Sequence, residues 1–279
     1  EGEYNASSRL DSTSTAKDNR LMTTPIDQSG ISYSPLLYEA DGELSLHFGF
    51  PTIQSRMLSN DPQRLVLDYT QTMMGFLLFV PEPRRIAMIG LGGGSLAKYC
   101  RSRLPDCDFT AIELLPEVIA LREQFGIPED GSRFRIVCAN GADYVRQSKE
   151  SLDVLLVDGF NSEGQPPELC SLAFYDACCS ALRPNGVLVV NLCADDPGYD
   201  CYIARIDQAF GGKRAIVETD EGGNIIAFAG KAAPFPPGFK ELAERLRTLE
   251  ARHSVELDKT AQKILRQQQS RTRPTRKRR

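Results

Sequence analysis

Short apolar runs separated by polar, helix-like stretches dominate the chain from about residue 85 onward. "RIAMIG", "DFTAIE", "RFRIVCA", "DVLLVD" and "GVLVVNL" are continuous rather than alternating in polarity, the signature of strands covered on both faces. Between them, residues 95–103, 116–125, 141–149, 171–182 and 199–210 carry helical spacing. This alternation predicts an α/β fold with a Rossmann-like, doubly wound parallel sheet. "RAIVETD" and "NIIAFAGK" flank "EGG" and predict an antiparallel hairpin on the sheet edge. Upstream, "SYSPLLYEADGELSLHFGFPTIQSRM" alternates around "DGE" and predicts a small β element over 31–60. Asp61 and Pro62 have the form of an N-cap and first helical residue, with Leu65, Tyr69, Met73 and Phe76 at helical spacing behind them. The main domain is accordingly set at 61–232. After "APFPPG" one long polar helix is expected over roughly 238–267, giving a C-terminal helix segment at 233–265 and a basic tail at 266–279. Residues 1–30, rich in Ser, Thr, Asp and Asn, read as a disordered leader.

Composition narrows the class. The longest conspicuous apolar run, "MMGFLLFV", has eight residues against the roughly 20 a membrane span requires. The net charge of −4 conceals seven cations and no acid between Arg266 and Arg279, which leaves −11 on the rest. An acidic body has no general footprint for nucleic acid; only the tail "RTRPTRKRR" is suited to a nucleic acid or an anionic surface. Eight cysteines without a C-x-x-C pair, alongside only two histidines, argue for thiols used as small apolar residues and against a metal site. Such usage fits a reducing compartment, so a cytoplasmic location is expected. Because the chain opens at Glu1 and not Met, a processed or partial product is expected.

The chemistry concentrates in "IGLGGGSLAKYC". Gly90, Gly92, Gly93 and Gly94 follow the first strand of the alternation and remove the Cβ atoms that would hold a ligand off the backbone. Glu113 ends the next strand, 23 residues after Gly90, where an ionised carboxylate can accept both hydroxyls of a ribose. A dinucleotide site of the form G-x-G-x-x-G would place glycine at position 95, where Ser95 stands. The compact loop suits a nucleoside without pyrophosphate. Asn140-Gly141 closes the third strand, where an amide can meet an adenine edge; the same dipeptide is also a common turn. "GGSLA" approaches the G-x-S-x-G nucleophile elbow, but its last glycine is missing and His253 lies beyond the Pro-rich break. Ser95 is therefore read as a helix cap.

The segments "QSRM…DPQRLVLDYTQTMM", "RRIAMIGLGGGSLAKY", "FTAIELLPEVIAL", "ANGADYV" and "LLVDGFNSEGQPPELCSLAFYDACCSALRPNGVLVVNL" resemble the spermidine synthase (polyamine aminopropyltransferase) family, in its divergent bacterial branch. The likeness runs from about Leu44 to Lys231. It implies a methyltransferase-like Rossmann domain behind a small N-terminal β element, with decarboxylated S-adenosylmethionine as donor, a di- or polyamine as acceptor and a homodimer as the common assembly. By this resemblance Gln54 meets the thioether end of the nucleoside, Glu113 the ribose, and Asn140-Gly141 the adenine. The cofactor-binding set is thus Gln54, Gly90, Gly92, Gly94, Glu113, Asn140, Gly141 and Asp158. The catalytic set is Asp158, Asn161 and Tyr69, the tyrosine also being readable as a core aromatic. Two positions depart from the family pattern. Gly93 stands where an acid holds the amine, and Asn161 where a second acid helps deprotonate it; Glu163 and Asp195 are nearby acids that could compensate. An amide positions an amine but does not take its proton. Two alternatives therefore stay open: an S-adenosylmethionine-dependent methyltransferase of the same fold, and a non-catalytic nucleoside-binding relative.

Overall fold

The computed structural model describes residues 20–22, 35–48, 53–161 and 164–272. Four antiparallel strands come first: β1 (Arg20–Met22), β2 (Leu36–Ala40), β3 (Glu43–His47) and β4 (Ile53–Leu58), paired in chain order. Asp41-Gly42 makes the turn between β2 and β3, both residues at positive φ. Within the expected leader, Arg20–Met22 is a strand bonded to β2; the remainder of 1–30 lies outside the described residues.

Asp61 does not cap a helix. Its N–H donates to the Leu58 carbonyl and its own carbonyl accepts from Arg64, so 61–64 is a turn closing β4. Helix α1 begins at Asp68 (Asp68–Met73) and tightens into a 3₁₀ turn, Met74–Leu78, whose five residues are all buried. The alternation follows: β5 (Arg85–Ile89), α2 (Ser95–Arg103), β6 (Asp108–Glu113), α3 (Pro116–Ile119), β7 (Phe134–Cys138), α4 (Gly141–Gln147), β8 (Leu152–Val157), α5 (Leu172–Ala181), β9 (Leu182–Cys193), α6 (Tyr199–Phe210), β10 (Arg214–Glu218) and β11 (Asn224–Gly230). Of the helix expected over 116–125, only the first four residues are α-helical, and the remainder forms successive turns.

The seven strands pair in the order β10-β11-β9-β8-β5-β6-β7, parallel from β9 to β7, with β10 and β11 added antiparallel at one edge. Side chains alternate strictly between two cores. Ile86, Met88, Val154 and Leu156 enter the layer under α1, α2 and the C-terminal helices. Ala87, Ile89, Leu155 and Val157 enter the layer under α4, α5 and α6. Burial on both faces is why these runs are continuous in sequence. β7, at the free edge, is only partly buried despite its apolar run.

The C-terminal segment is two helices, not one: α7 (Phe239–Glu250) and α8 (Leu257–Thr272). The break holds His253, buried beside the Tyr99 hydroxyl at 3.4 Å, and burial lowers its pKa to about 4. Leu242, Leu249, Leu257, Ala261 and Ile264 pack both helices into the first core. A straight helix through 251–256 could not turn those apolar faces inward together. Residues 266–272 of the expected basic tail belong to α8, and 273–279 lie outside the described residues. No helix among the described residues is long and apolar enough to cross a membrane.

Candidate functional site

In a doubly wound sheet the ligand crevice opens at the carboxyl ends of the strands where their order reverses. Here that point lies between β5 and β8, and Gly90 and Asp158 are the first residues beyond those two strands. The chain is bonded to both neighbours there. The Gly90 N–H donates to Ile112 O at 2.8 Å and the Asp158 N–H to Ile89 O at 2.9 Å. Gly90 has φ +87°, and a Cβ at this position would lie 2.2 Å from the Asp158 carbonyl oxygen. Glycine is therefore required both by conformation and by space.

Gly92 and Gly94 continue the turn, and Gly94, not Ser95, is the N-cap of α2. Ser95 is the first helical residue; its hydroxyl lies 3.5 Å from that of Ser55, and no relay with the distant, buried His253 exists. Gly93 is buried, and a Cβ there would meet Ser55 Oγ at 2.6 Å and the Phe125 ring at 2.7 Å. Residue 93 lacks a side chain because its space is filled from β4 and from the turn after α3.

Glu113 faces this turn. One carboxylate oxygen accepts from Leu91 N–H and the other from Leu115 N–H, each at 2.9 Å. Burial, with the residue only 8% exposed, raises its pKa, while backbone N–H bonds from Leu115, Leu91, Leu114 and Gly92 oppose that rise. These backbone donors hold the carboxylate against the 90–94 turn. Next to Glu113, just past the end of β6, Leu114 is 56% exposed, a large apolar side chain that the sequence reading did not single out. Asn140 caps α4: its Oδ1 accepts from Ala142 N–H at 2.9 Å and Asp143 N–H at 3.1 Å. Both lone pairs are thereby used, so only its amide N–H groups remain for a ligand. A Cβ on Gly141 would lie 2.5 Å from Ile89 Cγ2, so its absence brings α4 onto β5.

On the other side of the turn, Asp158 centres a polar cluster. Its Oδ1 accepts from Asn191 Nδ2 at 2.8 Å, and the Tyr69 hydroxyl also bonds its carboxylate. Burial raises the Asp158 pKa to about 6, the two hydrogen bonds opposing. Burial first, then the Asp158 charge, holds the Tyr69 hydroxyl well above its ordinary value. The same hydroxyl lies 3.4 Å from the Gln54 carbonyl oxygen. It has one proton, and the charged acceptor binds it more strongly. Tyr69 is thus joined to the site and is not merely a core aromatic. Asn191 is held in turn: its Oδ1 accepts from Asn224 Nδ2 at 2.9 Å, and its carbonyl from Gln165 Nε2 at 3.1 Å. The one sequence signal for this network was the polar Asn191 within the apolar run "GVLVVNL".

Asn161 exchanges backbone hydrogen bonds with Gly164, at 2.9 and 3.2 Å. Glu163 lies outside the described residues, and Asp195 is exposed. Gln54 sits half-buried on β4, where its backbone reaches Tyr69. Among the described residues no three His, Cys, Asp or Glu side chains are grouped to hold a metal. A cavity of about 650 Å³ between Phe79, Phe235 and Arg245 lies at the amino end of β9, away from this cluster.

Residues 67–204 match the spermine/spermidine synthase domain. The chain is 40% identical over 213 residues to a polyamine aminopropyltransferase of Chromobacterium violaceum, a match covering 76% of this chain and 82% of that one. Among solved structures it is similar to a probable spermidine synthase from Corynebacterium glutamicum, with TM-score 0.66 and 22% identity over 86% of this chain and 95% of the other. It is also similar to a spermidine synthase in complex with the transition-state analogue AdoDATO, with TM-score 0.63 and 23% identity over 83% and 80%.

Proposed function

Because the chain belongs to the spermine/spermidine synthase family, we propose that it transfers an aminopropyl group from decarboxylated S-adenosylmethionine to a di- or polyamine nitrogen, a reaction of polyamine biosynthesis. The observation that carries this reading is the hydrogen-bonded Asp158–Tyr69–Asn191 cluster beside a turn whose Leu91 N–H is held by Glu113.

In the proposed complex the Glu113 carboxylate accepts the ribose hydroxyls, Leu114 shelves the base, and Asn140 donates to a ring nitrogen. Gly90, Gly92 and Gly94 let the nucleoside approach the backbone, Gly141 keeps α4 close, and Gln54 contributes from the small sheet. The attacking amine must be neutral, yet alkyl ammonium groups have pKa values near 10. Ionised Asp158 holds the ammonium and takes its proton as the nitrogen lone pair attacks the carbon next to sulfur. The C–N bond forms, the C–S bond breaks with its electron pair going to sulfur, and methylthioadenosine leaves. Tyr69 and Asn191 hold the carboxylate in place for the amine.

The test is to incubate the chain with decarboxylated S-adenosylmethionine and putrescine, following methylthioadenosine and spermidine. Turnover that Asp158→Asn lowers by at least ~100-fold supports the reading; no product with any diamine sinks it. The filled space at Gly93 and the backbone role of Asn161 favour a second reading, a methyltransferase using the same nucleoside site. Release of S-adenosylhomocysteine from S-adenosylmethionine would select it.

A further inference from the structure

A carboxylate that takes the amine's proton has to be ionised when the amine arrives, and burial works against the charge on Asp158. Two hydrogen bonds oppose burial, from Asn191 Nδ2 and from the Tyr69 hydroxyl. The first holds only while Asn191 shows Asp158 its nitrogen. A side-chain amide has one donating and one accepting end, and either fits the same space.

Asn224 selects the donating end. Its Nδ2 meets Asn191 Oδ1 at 2.9 Å, which leaves Asn191 Nδ2 for Asp158 Oδ1 at 2.8 Å. Asn191 is 2% exposed, so its amide is held away from solvent. The three side chains form a relay in which each N–H points toward the carboxylate, and hydrogen bonds in such chains strengthen one another. Asn224 is itself anchored. It opens β11, and its carbonyl accepts from Thr219 N–H at 3.1 Å and from Thr219 Oγ1 at 3.0 Å. The turn behind it is pinned from α1 and α8: Asp68 Oδ2 accepts from the N–H groups of Asp220 and Glu221, and Lys263 Nζ donates to Glu218 O at 2.7 Å. Asp68 directly precedes Tyr69, so the β10–β11 turn is bonded to the segments that carry both donors to Asp158.

We propose that Asn224 is a positioning residue for the transfer: through Asn191 it keeps the Asp158 carboxylate ionised and ready to accept a proton. This rests on Asp158 being the base of the reaction proposed above, and it assigns control of that base's proton affinity to a residue one side chain removed from it. Among the described residues, Tyr69 is the ionisable side chain bonded to Asp158. Glu113, across the 90–94 turn, is bonded to Leu91 and Leu115 N–H; Asp195, beyond β9, is exposed; Asp220, on the turn before Asn224, is paired with Lys259 and Lys263.

Carboxyl resonances of the full chain labelled with 13C-aspartate report Asp158 whether or not the chain turns over, the signal missing from Asp158→Asn identifying it. Asn224→Asp puts an acceptor where the donor stood. Asn191 must then turn its nitrogen toward position 224 and its oxygen toward Asp158. The Asp158 titration midpoint should rise by about one pH unit or more, about tenfold in proton affinity. The acid limb of the transfer rate should move with it, while affinity for methylthioadenosine, the control for a folded site, stays where it was. An unmoved midpoint, or a rate lowered equally at every pH, overturns the proposal. In an Asn191→Leu background the same substitution should move the midpoint little; an equal shift there would mean direct repulsion between charges, and the relay fails. Should Asn224→Asp not fold, Asn224→Leu removes the donor without adding charge and should move the midpoint in the same direction. A parent that titrates as described but makes no product overturns the transferase reading, and with it the part of Asn224 in transfer; an active parent with an unmoved midpoint in the variant overturns the inference alone.

Discussion

At the scale of single residues, two carboxylates whose pKa values are both raised by desolvation do different work because their partners differ. Glu113 is held by backbone N–H groups, which require it to stay an acceptor. Glu113→Gln turns one of those acceptors into a donor facing an N–H, and should cost ~1–3 kcal/mol of stability in urea unfolding. Its affinity for methylthioadenosine should fall about tenfold or more, since the ribose loses a charged acceptor; unchanged affinity would remove Glu113 from the site. Asp158 is held by side chains and has a folded-state pKa raised from 3.8 to about 6. Between those values the folded chain binds the proton and the unfolded chain does not, so this contribution is present at low pH and lost as pH rises through about 6. Asp158→Asn removes it. Relative to the parent, the variant should therefore be more stable at pH 7 than at pH 4 by urea midpoints, while the parent's transfer rate rises through pH 6. A stability difference that is flat with pH would contradict the assignment.

At the scale of elements, the crevice depends on β5 and β8 approaching each other just past their ends. Gly90→Ala places a methyl group 2.2 Å from the Asp158 carbonyl oxygen at φ +87°. The backbone must open, and the expected loss is about 3 kcal/mol or more, accompanied by loss of nucleoside binding. Gly212, at φ +76° with open space around it, is the control. There alanine should cost ~1–2 kcal/mol of backbone strain and leave binding intact. Equal losses at the two sites, read from denaturant midpoints, would show that conformation alone matters at Gly90. The strand–helix alternation was readable because two-faced burial writes apolar runs, and turn residues end them. Asp61 misled because Asp-Pro signals a turn as readily as a helix start, and its backbone hydrogen bonds go to Leu58 at the end of β4 and to Arg64 within a turn.

At the scale of the whole molecule, the C-terminal helices are part of the core. α8 contributes Leu257, Ala261 and Ile264, and Thr260 reaches the 3₁₀ turn at Gly75. Each buried Leu or Ile contributes ~1.5–3 kcal/mol, a large share of the ~5–15 kcal/mol by which domains are stable. Ending the chain after Glu256 should lower the melting temperature by ~10 °C or more, or leave the protein insoluble. A stable 1–256 fragment would show that α8 is dispensable.

Sequence by itself determined the doubly wound sheet, the edge hairpin, the glycine turn and the acid 23 residues beyond it, because each is written in local pattern or fixed spacing. Only the tertiary structure decided what surrounds them. Tyr69, Asp158, Gln165, Asn191 and Asn224 become one network because strand order brings β8, β9 and β11 side by side under α1. Gly93 is enclosed by Ser55 and Phe125, from parts of the chain that no spacing rule connects to it. Hydrogen bonds and close contacts of that kind depend on distance through space, which a one-dimensional pattern of polarity does not carry.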